Sequence, residues 1–191
     1  MPRLHGYRER LHQPLWDTLV RSTGNPTTAI VNGTSLFAAA QVGQVALTNL
    51  TTPGQLSSDQ TYVILAIRSF LYFDGTNRRA NYLNVNSQLV WTVILGTKPM
   101  FQAYNFYFPA GGGTWGYDST TSIFNNGTPD STGIAKLARP IVVPVRQNFA
   151  ATANFFPIGT TDALALLNSG ASDDIKMIQL TLDGQLTRDV Q

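Results

Sequence analysis

The hydrophobic pattern of the chain consists mainly of short runs of β-branched and aromatic residues, separated by segments rich in Gly, Pro, Asn and Asp. Such runs are typical of β-strands, and the polar segments between them are typical of turns. The Asp183-Gly184 pair between the last two runs predicts a tight hairpin turn. The runs occupy residues 27–32, 44–50, 61–73, 88–95, 100–108, 139–149, 175–182 and 185–190.

About eight strands with mostly long connections predict an all-β fold. Antiparallel strands in this number form a two-sheet sandwich, and we expect the strands to be connected as in a jelly roll of the viral type. Helices are predicted at only two places. Pro14 can occupy the first position of a short amphipathic helix in the leader, and residues 161–169 predict a second helix with Thr160 or Thr161 as its N-cap.

The charges divide the chain into two parts. The first 21 residues hold four arginines and two acidic residues, a balance that equals the net charge of +2 for the whole chain. We therefore expect an N-terminal arm with a short helix over residues 1–24 and a single sandwich domain over residues 25–191. A charged N-terminal segment on an otherwise neutral chain indicates that this segment contacts a partner that the rest of the chain does not contact.

The segment 61–73 ("TYVILAIRSFLYF") is apolar at both odd and even positions, interrupted by Arg68. A sandwich strand normally buries one face and exposes the other, which produces alternation. Some outward apolar surface must therefore be covered by a loop, a helix or another subunit. The residues that we expect at such an interface are Tyr62, Arg68, Phe70 and Tyr72.

Charged residues make up only 13% of the chain, with ten arginines, three lysines and Glu9 as the sole glutamate. Lys and Glu are depleted in protein interfaces, where Arg and aromatic residues are favoured. The composition is therefore consistent with a surface that largely faces other protein. It is equally consistent with a β-rich protein whose loops are polar but uncharged.

The sequence lacks the residues that common catalytic and metal sites need. It has no cysteine, and its only histidines, His5 and His12, lie in the leader. Triads that use a histidine base and zinc or non-haem iron sites are thus not expected. The aspartates outside the leader lie mostly in predicted loops, without the spacing of a carboxylate pair or a calcium loop. We expect no enzyme, no cofactor and no metal.

The arm has three candidate partners. Its arginines could bind nucleic acid, its leucines and tryptophan could anchor it to anionic lipid, or the whole arm could lie under a neighbouring subunit. Two acidic residues dilute the positive charge, which favours a neighbouring subunit or a membrane over a genome. The residues proposed for these contacts are Arg3, Arg8, Arg10, Leu11, Leu15, Trp16 and Arg21.

The longest loop, residues 109–133, contains a glycine-rich stretch without the GK[ST] sequence of a phosphate-binding loop. Trp115 and Tyr117 lie between its glycines. These two rings could stack on a sugar, fill a pocket of a neighbouring molecule, or fold back over their own core.

A polar arm followed by a cysteine-free sandwich with sparse charge and no catalytic constellation resembles the single jelly-roll coat proteins of tailless icosahedral, membrane-containing phages. The resemblance is one of architecture and covers roughly residues 27–191. It implies a capsid shell subunit, major or at the vertex, that is made in the host cytoplasm and resides in the virion. Its partners would be copies of itself and other capsid proteins, with inner-membrane lipid or packaged nucleic acid at the arm, and no small-molecule substrate. The alternative is a carbohydrate- or receptor-binding sandwich module of a spike or fibre head.

Overall fold

The structure is a computed structural model of the chain. It describes residues 8–20, 31–38, 47–73, 78–108, 115–116, 124–125, 134–158, 162–168 and 175–189. The strands are β1 (Arg8–His12), β2 (Leu15–Val20), β3 (Thr34–Leu36), β4 (Gln60–Phe73), β5 (Leu89–Leu95), β6 (Lys98–Tyr104), β7 (Trp115–Gly116), β8 (Phe124–Asn125), β9 (Ala135–Val143), β10 (Phe149–Phe155) and β11 (Ile175–Asp189). The helices are α1 (Arg78–Gln88), α2 (Ala163–Asn168) and a 3₁₀ turn (Asn105–Tyr107).

The strands form two main antiparallel sheets whose inner faces enclose one hydrophobic core. The first sheet has the order β1-β11-β4-β9, and β2 also pairs with β11. The second sheet has the order β3-β10-β5-β6, and β7 and β8 form a separate small sheet. The prediction of an all-β, two-sheet antiparallel sandwich is confirmed.

β1 and β2 are two halves of one edge strand, because both keep the same register on β11. Arg8 lies opposite Asp189, and Leu15 lies opposite Leu182. With these halves taken as one strand, the two sheets have eight strands within the described residues. They pair in nested order: first with last (β1/β2 with β11), second with seventh (β3 with β10), third with sixth (β4 with β9) and fourth with fifth (β5 with β6).

The predicted leader helix is wrong, since residues 8–20 are strand apart from Gln13 and Pro14. Leu15 is buried in the core, and Leu11 and Leu19 pack against it, so the odd positions face inward with the period of a strand. Pairing with β11 provides hydrogen bonds for backbone groups that a helix would have paired within itself. The structure places this part of the leader within the sandwich.

The Asp183-Gly184 hairpin is also wrong, because both residues lie inside the 15-residue strand β11. The pairing with β4 shifts register here: Asp183 lies opposite Ala66 and Gly184 opposite Ile64, so Leu65 is the extra residue of a β-bulge. The dipeptide therefore marks a bulge, a second setting in which an isolated glycine is typical.

The predicted helix near residues 161–169 is confirmed as α2. The N–H groups of Leu164 and Ala165 both donate to Asp162 Oδ1, at 2.9 and 3.3 Å. Asp162 is thus the residue that caps the helix, whereas Thr160 and Thr161 lie outside the described residues.

Helix α1 is not predicted from the sequence, because "RRANYLNVNSQ" is polar over most of its length. It packs through Tyr82 and Val85, which are buried. It is also joined to the second sheet by hydrogen bonds: Asn105 Nδ2 donates to Asn86 Oδ1 at 2.6 Å, and Trp91 Nε1 donates to Asn105 Oδ1 at 2.7 Å. Tertiary contacts, rather than local apolar periodicity, hold this helix in place.

Each edge of the two main sheets carries a feature that hinders strand addition, within the described residues. Pro14 interrupts the β1/β2 edge, where Asn49 Nδ2 also donates to the Pro14 carbonyl at 2.7 Å. Pro140 lies in the edge strand β9, and Pro99 lies in the edge strand β6 beside a register shift. The remaining edge strand, β3, has only three residues. Prolines, bulges and short strands are the means by which proteins block edge-to-edge association.

Candidate interaction surface

The bulge in β4 determines which of its side chains face outward. Before the bulge, Tyr62 and Ile64 are fully buried in the core. Beyond it the inward positions change parity, so Arg68 and Phe70 are partly exposed and Tyr72 is 50% exposed. The predicted interface set is therefore corrected at Tyr62, whose hydroxyl donates to the Leu182 carbonyl at 2.7 Å inside the core.

Trp16 of the leader lies on the same outward face as Arg68 and Phe70. Thr181 of β11 is the register partner of Trp16 on one side and of Arg68 on the other. Trp16, Thr181 and Arg68 therefore form a row across three strands. We call Trp16, Arg68, Phe70 and Tyr72 the outer-face patch. A depression of about 320 Å³ opens within the patch and is lined by Pro14, Trp16, Arg68, Ser69, Phe70, Gln179 and Thr181.

The patch carries a charge network that is balanced within the chain. Arg68 Nη2 donates to Asp183 Oδ2 at 2.8 Å. His12 Nε2 lies 3.0 Å from the other carboxylate oxygen of Asp183. The Asp183 side chain is only 15% exposed, so this pair is more shielded from solvent than an ordinary surface ion pair. The guanidinium and the carboxylate together leave the patch without net charge.

A second group of exposed aromatic residues lies at the end of β6, in the second sheet. The aromatic segment, residues 104–107, contains Tyr104 and Phe106, whose rings stack with centroids 5.6 Å apart. The segment ends beside β4, because the N–H and the hydroxyl of Ser69 both donate to the Phe108 carbonyl at 3.1 Å. Tyr104 alternates along β6 with Phe101 and Ala103, which pack against the core, so its ring and that of Phe106 lie on the opposite face of the sandwich from the outer-face patch.

The other predicted arm residues have different surroundings. Leu15 is buried and Leu11 packs against the core, so neither is free to enter a membrane, which corrects that part of the prediction. Arg8 and Arg10 are exposed at the far end of the first sheet. Arg8 Nε lies 3.2 Å from Asp189 Oδ1, and both arginines border a depression that also contains acidic side chains.

Several predicted residues lie outside the described part of the chain. These are Arg3, Arg21 and Tyr117. The backbone of Trp115 is described and forms β7, which pairs with β8, but its side chain is not among those described. The expected roles of these residues remain predictions.

Asp17 is a buried carboxylate that connects the two sheets, and sequence reasoning treats it only as a charge in the arm. It accepts hydrogen bonds from the N–H of Phe37, just after β3, and from the N–H of Thr18. Burial raises the pKa of Asp17 above its ordinary value, and these hydrogen bonds partly oppose that rise. Its position predicts a structural role, because the carboxylate fixes Phe37 at a positive φ of 66°.

Within the described residues there is no group of three or more His, Asp or Glu side chains arranged to hold a metal ion. In the same part of the chain, no helix has the length and apolar character needed to cross a membrane. Comparison of the chain with protein families, with curated proteins and with solved structures finds no match. The candidate surface is therefore interpreted from its own geometry.

Proposed function

We propose that this protein is a structural subunit of a virion shell, either the major shell protein or a vertex component, and that it assembles through its sandwich domain. The observation that carries the proposal is the nested strand pairing. A ribbon folded so that its first strand pairs with its last, and its fourth with its fifth, is the arrangement of a jelly roll. Two-sheet jelly rolls are the fold of many viral capsid and lectin domains.

Two further features favour a shell subunit over other proteins whose strands pair in this nested order. The sheet edges that the structure describes are blocked, so copies that associate must do so through faces and loops. The outer-face patch leaves aromatic surface exposed on one such face. The sparse charge also limits the repulsion that identical copies would exert on one another at high density.

In this proposal the arm contacts partners inside the shell. Arg8 and Arg10 are exposed at one end of the first sheet and, with Arg3 before them, form the basic part of the leader. We propose neighbouring subunits or an inner membrane as the partner of this end, with the packaged nucleic acid as the other possibility. Binding to lipid or nucleic acid should weaken strongly as ionic strength rises, whereas an apolar subunit contact should not.

The test is the assembly state of the purified full chain. We expect size-exclusion chromatography with light scattering to show oligomers that grow with protein concentration, and negative-stain microscopy to show rings, closed particles or both. Many modest interfaces together are sufficient to hold such a shell. A chain that stays strictly monomeric and binds glycans on an array would contradict the proposal and support the carbohydrate- or receptor-binding module instead, with the loop around Trp115 and Tyr117 as its expected site.

A further inference from the structure

We propose that the outer face of the second sheet binds a neutral carbohydrate chain. The site lies on β5, β6 and β10 and at their ends. It combines exposed aromatic rings with side-chain amides, and we call it the ring-and-amide face: Tyr104, Phe106, Phe156, Gln102 and Asn154. It lies on the opposite side of the sandwich from the outer-face patch, so carbohydrate binding there does not depend on the proposed self-assembly.

The strand register brings these side chains to one face. Val90 of β5 lies opposite Asn154 of β10 and Tyr104 of β6. Val90 alternates along β5 with Trp91, whose side chain is buried in the core, so this row faces outward. The next outward row, two residues further along each strand, consists of Gln102, Thr92 and Thr152.

Aromatic rings stand on both sides of the first row. Tyr104 and Phe106 are 41% and 58% exposed, and their rings stack with an angle of 12° between the planes. Phe156 is 48% exposed at the end of β10, where its N–H donates to the Gln88 carbonyl at 3.0 Å. Because β5 separates β6 from β10, about 10 Å lies between the backbones that carry the rings. The C–H groups of a sugar ring pack against the electron-rich face of an aromatic ring.

Hydroxyl groups hold the two amides of the face in place. Gln102 Nε2 donates to Thr92 Oγ1, and Asn154 Nδ2 donates to Thr152 Oγ1, both at 3.2 Å. An amide that donates one N–H in this way retains its carbonyl oxygen and a second N–H. Sugar hydroxyls both donate and accept, so a fixed amide can bind two of them at once. Aromatic side chains with a few fixed polar groups are the usual composition of a ligand site.

The combination of rings, amides and sparse charge argues against other occupants. Among the strands that the structure describes in the second sheet, Lys98 is the only charged residue, and it lies at the other end of β6. Nucleic acid or anionic lipid would need cations here. The hydrocarbon of a membrane would bury the amides without partners, which is costly. Another protein surface would have to supply a partner for each amide, whereas the hydroxyls of a sugar chain do so along its whole length.

The first test is affinity electrophoresis of the full chain in native gels that contain a soluble neutral polysaccharide: a β-glucan, a galactomannan or a mannan. We expect at least one of them to retard the wild type. Tyr104→Ala and Phe106→Ala should each weaken this binding at least about tenfold. Tyr72→Ala is the matched control, because Tyr72 is 50% exposed on the first sheet, and it should bind as the wild type does. Retardation by none of the three polysaccharides, or an equal loss in the control, would overturn the proposal.

The second test examines the amides and the position of the site. We expect Gln102→Ala to weaken polysaccharide binding about fivefold without a change in the unfolding temperature, as the loss of one hydrogen bond to a ligand does. Gln185→Ala, which removes an exposed amide of β11, should have no effect. Binding that is lost in Trp115→Ala and kept in Tyr104→Ala would place the carbohydrate at the loop instead and contradict the proposal.

Sedimentation velocity of the same variants separates this site from the proposed function. A chain that stays monomeric and binds polysaccharide through Tyr104 and Phe106 would support the site and contradict the shell proposal. Oligomers that bind no polysaccharide would do the reverse. If Tyr104→Ala weakens self-association and leaves polysaccharide binding unchanged, another copy covers this face, and the carbohydrate proposal is wrong.

Discussion

Gly184 of β11 lies directly against the backbone of Val63 in β4. A Cβ atom at residue 184 would be 2.0 Å from the Val63 carbonyl oxygen and 3.1 Å from the Cα of Ile64. This close approach occurs at the bulge where Leu65 is the extra residue. The missing side chain thus permits the bulge, and the bulge turns Arg68, Phe70 and Tyr72 toward the outer face.

We expect Gly184→Ala to destabilise the protein by at least about 3 kcal/mol, because the clash is with backbone and can be relieved only by separating β11 from β4. Denaturant unfolding followed by circular dichroism measures this. The neighbouring exposed change Gln185→Ala is the control, and it should alter stability by less than about 0.5 kcal/mol. Similar denaturation midpoints for the two variants would show that the strands are not held so closely.

The bulge explains why the fold class could be predicted from the sequence while details of β4 and β11 could not. The alternation of β-branched and aromatic residues identifies strands and two sheets. The two-residue alternation of a strand gives no sign of a bulge at which inward and outward positions exchange. The sequence alone therefore places Tyr62 and Tyr72 on the same face. The Asp183-Gly184 pair fits a hairpin and a bulge equally well, and only the position of the Val63 backbone decides between them.

The residues of the outer-face patch can be predicted from the sequence, but their arrangement in space cannot. The sequence pattern indicates Trp16 as part of an arm, and Arg68 and Phe70 as part of an interface strand. Their proximity depends on the register of two ladders that share Thr181, which no local pattern encodes. The ion pair of Arg68 with Asp183 is not predicted from the sequence, because the Asp183-Gly184 pair is interpreted there as a turn.

Truncation of the leader tests whether residues 8–20 belong to the sandwich. Deletion of residues 1–7 leaves the ladder to β11 intact, and we expect the unfolding temperature to change by less than about 2 °C. Deletion of residues 1–20 removes one of the two pairing partners of β11 and the buried Leu15, so cooperative thermal unfolding should be lost. A chain that still unfolds cooperatively without residues 1–20 would show that this strand is dispensable.

Asp17 should make stability depend on pH in a defined direction. Its pKa is raised in the folded state above the ordinary value of 3.8 because burial disfavours the charged form. The folded state therefore holds the proton more tightly than the unfolded state. The stabilisation is fully present below about pH 3.8 and is lost as pH rises through the folded pKa.

The comparison with Asp17→Asn isolates this effect. The free energy of unfolding of the wild type minus that of the variant should fall as pH rises from 3.8, with a slope of at most about 1.4 kcal/mol per pH unit, and then level off. Urea unfolding at a series of pH values measures the difference. A difference that increases with pH over this range would mean that the hydrogen bonds from Phe37 and Thr18 outweigh burial.

The ion pair of Arg68 and Asp183 tests whether the outer-face patch takes part in the proposed assembly. Asp183→Asn leaves the Arg68 charge uncompensated, so two copies that meet at the outer-face patch would each bring a positive charge to the contact. We expect the association of copies to weaken about tenfold at low ionic strength and to recover at high salt, where screening shortens the range of the repulsion.

The double variant Arg68→Gln/Asp183→Asn is the control for this prediction, because it removes both charges and restores a neutral patch. The Kd for association of its copies should stay within about threefold of the wild-type value and should not depend on salt, since no unpaired charge remains to be screened. Sedimentation velocity across a salt series distinguishes the two variants. A single variant with the same salt dependence as the double variant would mean that Arg68 does not lie in the contact, even if the copies associate elsewhere.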